Sequence, residues 1–386
     1  MSNEQTTPLV TDREASHRRI TPEMVAVEMA RVGKELRSLG SYVETANADA
    51  IRHWAHGIGD MNPLWTDEAY AVGTRWKGIV APPTMVLCLD RNVLSSGPRG
   101  FPGLHGWHLG CSFEWLGPIV RDHSFRGRAW MESIEEVESS YAGGVAYDQT
   151  ILTEIVDTVD DSLVCTARSF IRRFERDRAR ETKKYTRPAK QAWEGEEIQA
   201  IAERYRAEKL AIRGATPRYV DDVKVGGGVG ELVRGPLTVT DCMAFNMGWG
   251  GAYVFAHGFA YEFLHKAPGA FPPNESNIPD SPERTHWVDA FAQQIGAPAA
   301  FDYGPQRVSW AGTLLTNWIG DDGFLSYLKV RILRPNYHGD LVTYGGRITD
   351  TDIASGTVEI VFEATNQLGE IVADGTATAT LPRRKS

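Results

Sequence analysis

The chain has 386 residues, 42% of them hydrophobic and 24% charged, and carries a net charge of −9. That length suffices for two ordinary domains, each with its own core. No basic block or basic–aromatic stripe invites nucleic acid, no apolar run approaches the roughly 20 residues of a membrane span, and the polar stretch from Met1 to Arg19 lacks a signal-peptide core.

Four scattered cysteines, Cys88, Cys111, Cys165 and Cys242, include no CxxC pair. They are expected as buried small hydrophobes, not as metal ligands or disulfides. The composition as a whole points to a reduced, cytoplasmic protein.

A loose polar arm is expected up to Ile20. Thr21-Pro22-Glu23 then opens a predicted helix to about Leu39, with proline in the first turn where its missing N–H does no harm, and Gly40 closes it. Ala48-Asp49 begins a second helix, in which Ile51, Trp54, Ala55 and Ile58 recur at helical period. It delivers the chain to a polar turn, Asp60-Met61-Asn62-Pro63, and a short helix. A second turn, Ala81-Pro82-Pro83, opens a predicted long apolar helix from Thr84. After a loop rich in glycine and proline, Ser95 to Gly106, strands are predicted over Trp107–Trp115, Ser124–Ile134, Ala146–Val159 and Leu163–Phe174.

From Glu175 to Lys209 the chain is dense in charge, poor in β-branched residues and interrupted by Pro188. Its later part, Glu194–Leu210, suits a solvated connector helix with Glu/Arg pairs. A second half restarts near Val220. There Thr238 to Asp241 repeats the cap-and-helix pattern of Asn47 to Asp49. An insertion rich in glycine, aromatics and proline follows, about 248–282. A helix from about Pro305 through Trp318 precedes strands over Phe324–Leu333, Asp340–Thr349, Gly356–Ala364 and Glu370–Leu381. The expected division is an arm and helix (1–40), a first domain (41–175), a charged linker (176–216) and a second domain (217–386).

The two halves share a register. With Trp65 set on His286, Tyr70-Ala71 falls on Phe291-Ala292 and Pro83 on Gly304, without a gap. Leu116 to Asp122 is echoed by Arg334 to Asp340, so one fold is duplicated.

The stretch Gly59-Asp60-Met61-Asn62-Pro63-Leu64, with Asp67 and Ala71 behind it and Ala81-Pro82-Pro83 beyond, resembles the hydratase motif of the MaoC-like acyl-CoA hydratases and dehydratases. The resemblance implies an α+β fold of two hotdogs in one chain, each a long helix wrapped by an antiparallel sheet. It implies an Asp and a His flanking the C2–C3 bond of a CoA thioester, and a glycine N–H at the helix start receiving the thioester oxygen. The chemistry is coherent. Moving a proton at the α-carbon of a thioester builds enolate charge on that oxygen, and a helix N-terminal amide stabilises it. A carboxylate and an imidazole manage the water and the proton.

Carried over residue by residue, the first half keeps Asp60 and Asn62 but has Trp65 for the histidine and Pro83, which has no N–H, for the glycine. Asp60 and Asn62 then read as a side-chain-capped turn, or as substrate contacts. The second half is the reverse. His286 stands at the histidine and Gly304 at the oxyanion glycine, preceded by Tyr303 where the family has another histidine. The Asp position falls on Ser281 and the Asn position on Glu283. Asp280, one residue early, is the first candidate for the missing carboxylate and Glu283 the second, and Asp289 is placed to orient the His286 ring. The two motifs are expected in separate sites. Tyr303 and Trp310 are assigned to substrate, although core packing explains the second-half tryptophans equally well.

Other polar residues are less telling. His53 and His56 lie one turn apart without further metal ligands. Gly226-Gly227-Gly228 lacks the strand and helix of a dinucleotide loop.

The expectation is a hydro-lyase interconverting 2-enoyl-CoA and 3-hydroxyacyl-CoA on a bulky acyl group. It would take the CoA thioester as substrate, use no metal or redox cofactor, and assemble with itself or with another hotdog subunit. A thioesterase on the same fold and a non-catalytic acyl-CoA-binding subunit are the alternatives.

Overall fold

Strand 144–157 shows how the sheet is made. Gln149, Ile151, Thr153, Ile155 and Asp157 are buried, and the residues between them are half exposed. Such alternation puts one face on a core and one toward solvent. The computed structural model describes residues 19–95, 101, 104–182, 184, 191–266 and 271–384. The expected arm before Arg19 and the break at Pro188 lie outside them.

The first half contributes strands β1 (His105–Trp115), β2 (Phe125–Ser139), β3 (Gly144–Asp157) and β4 (Leu163–Phe174). The second contributes β5 (Gly228–Arg234), β6 (Phe324–Ile332), β7 (Val342–Asp352), β8 (Thr357–Asn366) and β9 (Ile371–Thr380). Among the described residues these form one antiparallel sheet in the order β2-β3-β4-β1-β6-β9-β8-β7-β5. The halves meet at β1 and β6, where Cys111 faces Val330 and Phe113 faces Leu328. Strand β5 was not anticipated. It is short, flanked by glycines and lies at the sheet edge.

The helices are α1 (Pro22–Met29), α2 (Ala48–Ile58), α3 (Glu68–Gly73), α4 (Val86–Leu89), α5 (Arg176–Thr182), α6 (Gly195–Ala211), α7 (Val239–Trp249), α8 (Gly258–Lys266), α9 (Asp289–Gln294) and α10 (Gly304–Ile319). In α10 every residue but Gly304 and Thr316 is buried, so it is the central helix of its half. Its counterpart α4 is a single turn, not the expected long helix. Asp90 ends it in extended conformation and accepts from Asn92 N at 2.7 Å, starting a new turn. Likewise α1 stops at Met29. The chain beyond it leaves the helix to pair with β2, through Gly33 N to Met131 O (2.8 Å) and Leu36 N to Ala129 O (2.7 Å).

Connector helix α6 is more than solvated. Its Glu208 is buried and pairs with Arg234 through two contacts of 3.0 and 2.9 Å, and Arg234 also donates to Gly59 O at 3.1 Å. A buried ion pair of this kind binds the connector to the turn preceding Asp60.

The duplication is visible in backbone detail. Val80 bridges Val120 in the first half, as Phe301 bridges Tyr337 in the second. Helices α2 and α7 begin at equivalent caps, Asn47 and Thr238. They cross at two glycines that each sit on the other helix. A Cβ on Gly57 would lie 2.8 Å from Ala244 O, and one on Gly248 would lie 2.5 Å from His53 O. Replacing Gly248 by valine should therefore destabilise the protein by about 1–3 kcal/mol through forced separation of the helices. Gly73→Ala, where nothing lies within 4 Å, should stay within about 0.5 kcal/mol of the parent. Urea unfolding of the two variants tests the contrast; equal midpoints would show that the crossing is not tight.

Candidate active site

The second motif is built on a 3₁₀ turn, Pro282–His286. Ser281 Oγ accepts from Glu283 N at 3.1 Å, as Asp60 Oδ1 accepts from Asn62 N at 3.0 Å in the first half. The register is thus preserved in the hydrogen bonds. Serine does the turn-holding work of the aspartate, and Glu283 occupies the asparagine's place.

His286 is only 13% exposed in its side chain. Its Nδ1–H donates to Phe301 O at 2.9 Å, and because a carbonyl only accepts, this fixes the neutral tautomer with a lone pair on Nε2. The ring lies on Tyr303, 3.7 Å between centroids and 27° from parallel, and meets the edge of Phe301. Burial pulls its pKa down to about 4, so the imidazole is neutral at physiological pH. Nε2 stands 3.8 Å from Glu283 Oε2. Burial pushes the Glu283 carboxyl up to about 7, against a weaker opposing influence of the Tyr303 hydroxyl. A neutral base thus faces a carboxyl poised to gain or lose a proton.

Tyr303 is the floor of this pair. Asn246 Nδ2 on α7 donates to its hydroxyl at 2.9 Å, and burial holds that hydroxyl protonated far above the usual range. Gly304 follows as the first residue of α10, so its N–H has no partner inside the helix. The helix start is anchored just upstream. Asp302 is fully buried and takes Arg307 Nε at 2.7 Å and Nη2 at 2.5 Å, together with Asn336 Nδ2 at 2.8 Å. The first half completes the site. His108 of β1 lies over Gly304, where an added Cβ would come within 2.4 Å of its Nδ1. Trp107 stacks on Phe301 at 5.6 Å.

The residues singled out from sequence fare differently. His286, Glu283, Tyr303 and Gly304 converge. Asp280 does not join them. Its Oδ1 accepts from Ser281 N at 2.7 Å and its other oxygen lies 3.5 Å from Arg284, in a side chain 45% exposed. Turned outward by that pairing, it leaves Glu283 as the carboxylate at His286. Asp289 Oδ1 accepts from Ala300 N at 2.8 Å, and the Phe301 carbonyl holds the His286 ring. Trp310 is core, packed edge-on against Tyr344.

Asp60 and Asn62 stand apart, in the first motif. Asp60 is buried and accepts from Asn62 N and, at 3.0 Å, from Thr313 Oγ1 of α10. Desolvation raises its pKa, while these donors and nearby Arg234 oppose the shift. Beside it is an apolar cavity of about 50 Å³ walled by Asn62, Trp65, Trp76, Pro83, Trp115 and Phe324. The place of the base is taken by an indole and that of the oxyanion amide by a proline, so this cavity has neither function.

Sequence reasoning missed the Asp302–Arg307–Asn336 anchor, Asn246 and His108. A faint signal existed for the anchor, since Asp302 immediately precedes the Tyr303-Gly304 pair. The others depend on long-range packing.

A family model described as the FAS1-like dehydratase domain region matches residues 31–167, within the first half. No curated protein sequence matches the chain. Among solved structures, one described as a MaoC-like dehydratase superposes with a TM-score of 0.64 at 19% identity, covering 92% of this chain and 100% of its own. A putative MaoC domain protein dehydratase from Chloroflexus aurantiacus gives 0.58 at 12% identity, with 92% and 96% covered. A conserved hypothetical protein of Mycobacterium tuberculosis described as having a double hotdog fold gives 0.56 at 10% identity, with 90% and 96% covered. The fold is the double hotdog, and the resemblance to MaoC-like proteins read from the motif is borne out.

The raised Glu283 pKa has a consequence for stability. A carboxyl whose native pKa exceeds its unfolded value of about 4.5 adds stability below that value, and the contribution is lost as pH rises through about 7. The melting temperature of the parent should fall relative to Glu283→Gln between about pH 5 and about pH 8. Parallel melting curves across that window would mean that Glu283 titrates normally.

Proposed function

We propose that this chain is an acyl-CoA hydratase/dehydratase that works from the second-half site. It adds water across C2=C3 of a 2-enoyl-CoA, or removes it from a 3-hydroxyacyl-CoA. The observation that carries this reading is the Glu283–His286 pair, 3.8 Å apart and nearly buried, beside the start of α10. The dehydratase names of the similar folds support it.

In hydration, a water molecule sits between the Glu283 carboxylate and His286 Nε2. Its oxygen bonds to C3 while its proton passes to Glu283. The π electrons of C2=C3 move toward the thioester oxygen, where the Gly304 N–H and the positive end of α10 stabilise the enolate. Glu283 then returns the proton to C2. A carboxyl near pH 7 suits both transfers, since general catalysis is most effective when the pKa lies near the working pH. The neutral imidazole accepts the water's second O–H and fixes the direction of attack. The reaction as written uses no metal or redox group.

We assign the acyl chain a path along β1. Residues His105 to Leu109 of that central strand are only half buried. Their partial exposure supports an acyl group of some bulk. Trp310, deep in the core, has no part in it.

The test is incubation of the purified protein with enoyl-CoAs of different size, following mass and the enoyl thioester absorbance. A gain of one water is expected. It should fall by about 10²- to 10⁴-fold in Glu283→Gln or His286→Ala and persist in Trp65→Phe. Release of free CoA thiol instead would identify a thioesterase. Binding without any conversion would leave a non-catalytic acyl-CoA-binding subunit.

A further inference from the structure

Arg173, near the end of β4, is half buried and carries a guanidinium with little to neutralise it. Its Nε donates to Gln149 Oε1 at 2.9 Å, a neutral partner. Among the described residues no carboxylate lies within 4.0 Å of it. Glu28 of α1 lies within electrostatic reach, but it is itself buried and already engaged. Arg31 Nη1 holds both its oxygens at 3.0 Å, and Gln149 Nε2 donates to it at 3.0 Å. Glu28 is thus committed to another guanidinium, and the hydrogen bond of Arg173 goes to a neutral amide. Arg176, one turn of chain away, is a second cation on this side, with Asp177 within electrostatic reach and its Nε buried without a hydrogen-bond partner.

The position of Arg173 connects it to the site. It pairs across the sheet with Gly106, and a Cβ on Gly106 would lie 2.5 Å from Arg173 Nη1. The missing side chain is what admits the guanidinium. Two residues along β1 is His108, on the same face, and His108 covers Gly304. The strand rise puts these positions about 7 Å apart. His105, next to Gly106, feels both Arg173 and His286, and Tyr253 of the insertion lies within electrostatic reach of Arg173. A chain that leaves its thioester at Gly304 and runs along β1 therefore arrives at the half-buried Arg173 guanidinium.

We propose that Arg173 receives a carboxylate at the far end of the acyl group, so that the substrate is the CoA monothioester of a dicarboxylic acid. This rests on the hydratase reading for the reaction but not for the binding. A guanidinium binds a carboxylate through parallel hydrogen bonds, and such charge-assisted bonds are the strong ones. An acyl chain ending in methyl would leave the same cation unpaired, which is a basis for discrimination.

The experiment uses matched enoyl-CoAs of increasing length, one of each pair ending in methyl and the other in carboxylate. Turnover is measured for the parent, Arg173→Met and Gly106→Ala. Binding of the saturated analogues, for example adipoyl-CoA against hexanoyl-CoA, is measured by calorimetry in the same proteins. Gly106→Ala keeps the charge and displaces it, and melting curves establish that each variant is folded.

The parent should favour carboxylate-ended chains in kcat/KM. Both variants should lose about tenfold to a hundredfold on those chains, with methyl-ended chains little changed. Tighter binding of adipoyl-CoA that disappears with Arg173, with no turnover of any chain, would sustain this inference and overturn the hydratase reading. Turnover without preference, or equal loss on both kinds of chain, would overturn the inference and leave the hydratase standing. Neither turnover nor Arg173-dependent binding would overturn both.

Discussion

The pairing of β1 with β6 is the constraint on which the rest of the molecule depends. It joins two four- and five-stranded sheets into one and places each half's inner face against the other half's motif. His108, on β1, reaches Gly304 of the second motif only because of this join. Thr313, on α10, reaches Asp60 of the first motif for the same reason. The reciprocal glycines at the α2–α7 crossing hold the halves at a second point and leave little freedom to slide. Neither half could form its motif's surroundings alone.

Duplication permits the two motifs to diverge, and the divergence here is chemical more than architectural. In the first, Trp65 and Pro83 fill the places of a base and an amide, and Trp115 Nε1 donates to the Pro83 carbonyl at 3.1 Å. The turn has become a brace between the halves, with a small apolar cavity beside it. In the second, the turn is held by Ser281, the helix start is fixed by the buried Asp302–Arg307 pair, and the imidazole and carboxyl are left to face each other. Rigidity around the helix start matters because an oxyanion donor acts by being in place before charge develops.

Much of this was legible in the sequence, for identifiable reasons. The strands follow from alternation, the caps Asn47 and Thr238 from their oxygen side chains, and the duplication from an ungapped register between Trp65–Pro83 and His286–Gly304. The failures are equally physical. The apolar run from Thr84 gave no sign that Asp90 would end the helix after one turn. The run from Thr21 to Leu39 kept helical composition past Met29, yet its backbone is captured by β2. Asp280 lies nearer than Glu283 to the motif's Asp position, and a sequence does not show that Arg284 and the Ser281 amide draw it outward. Arg173 was invisible as a site residue, since its meaning lies in the absence of a side chain at Gly106 on the neighbouring strand.

The comparison of Asp60 with Glu283 shows how one turn can give two kinds of carboxylate. At the first position the acid is spent on its own turn. It takes a backbone N–H and a threonine hydroxyl, with Arg234 nearby, and all three favour its charged form against the cost of burial. Two residues later, Glu283 is free of that duty because Ser281 has assumed it. Burial then meets little opposition, and the carboxyl moves toward neutrality while burial drives the adjacent imidazole the other way. Displacing the acid by two positions thus converts a structural carboxylate into one able to exchange a proton near pH 7. The shift of the carboxylate from the Asp to the Asn position, which looks like damage to the motif, is what makes a working pair with His286 physically reasonable.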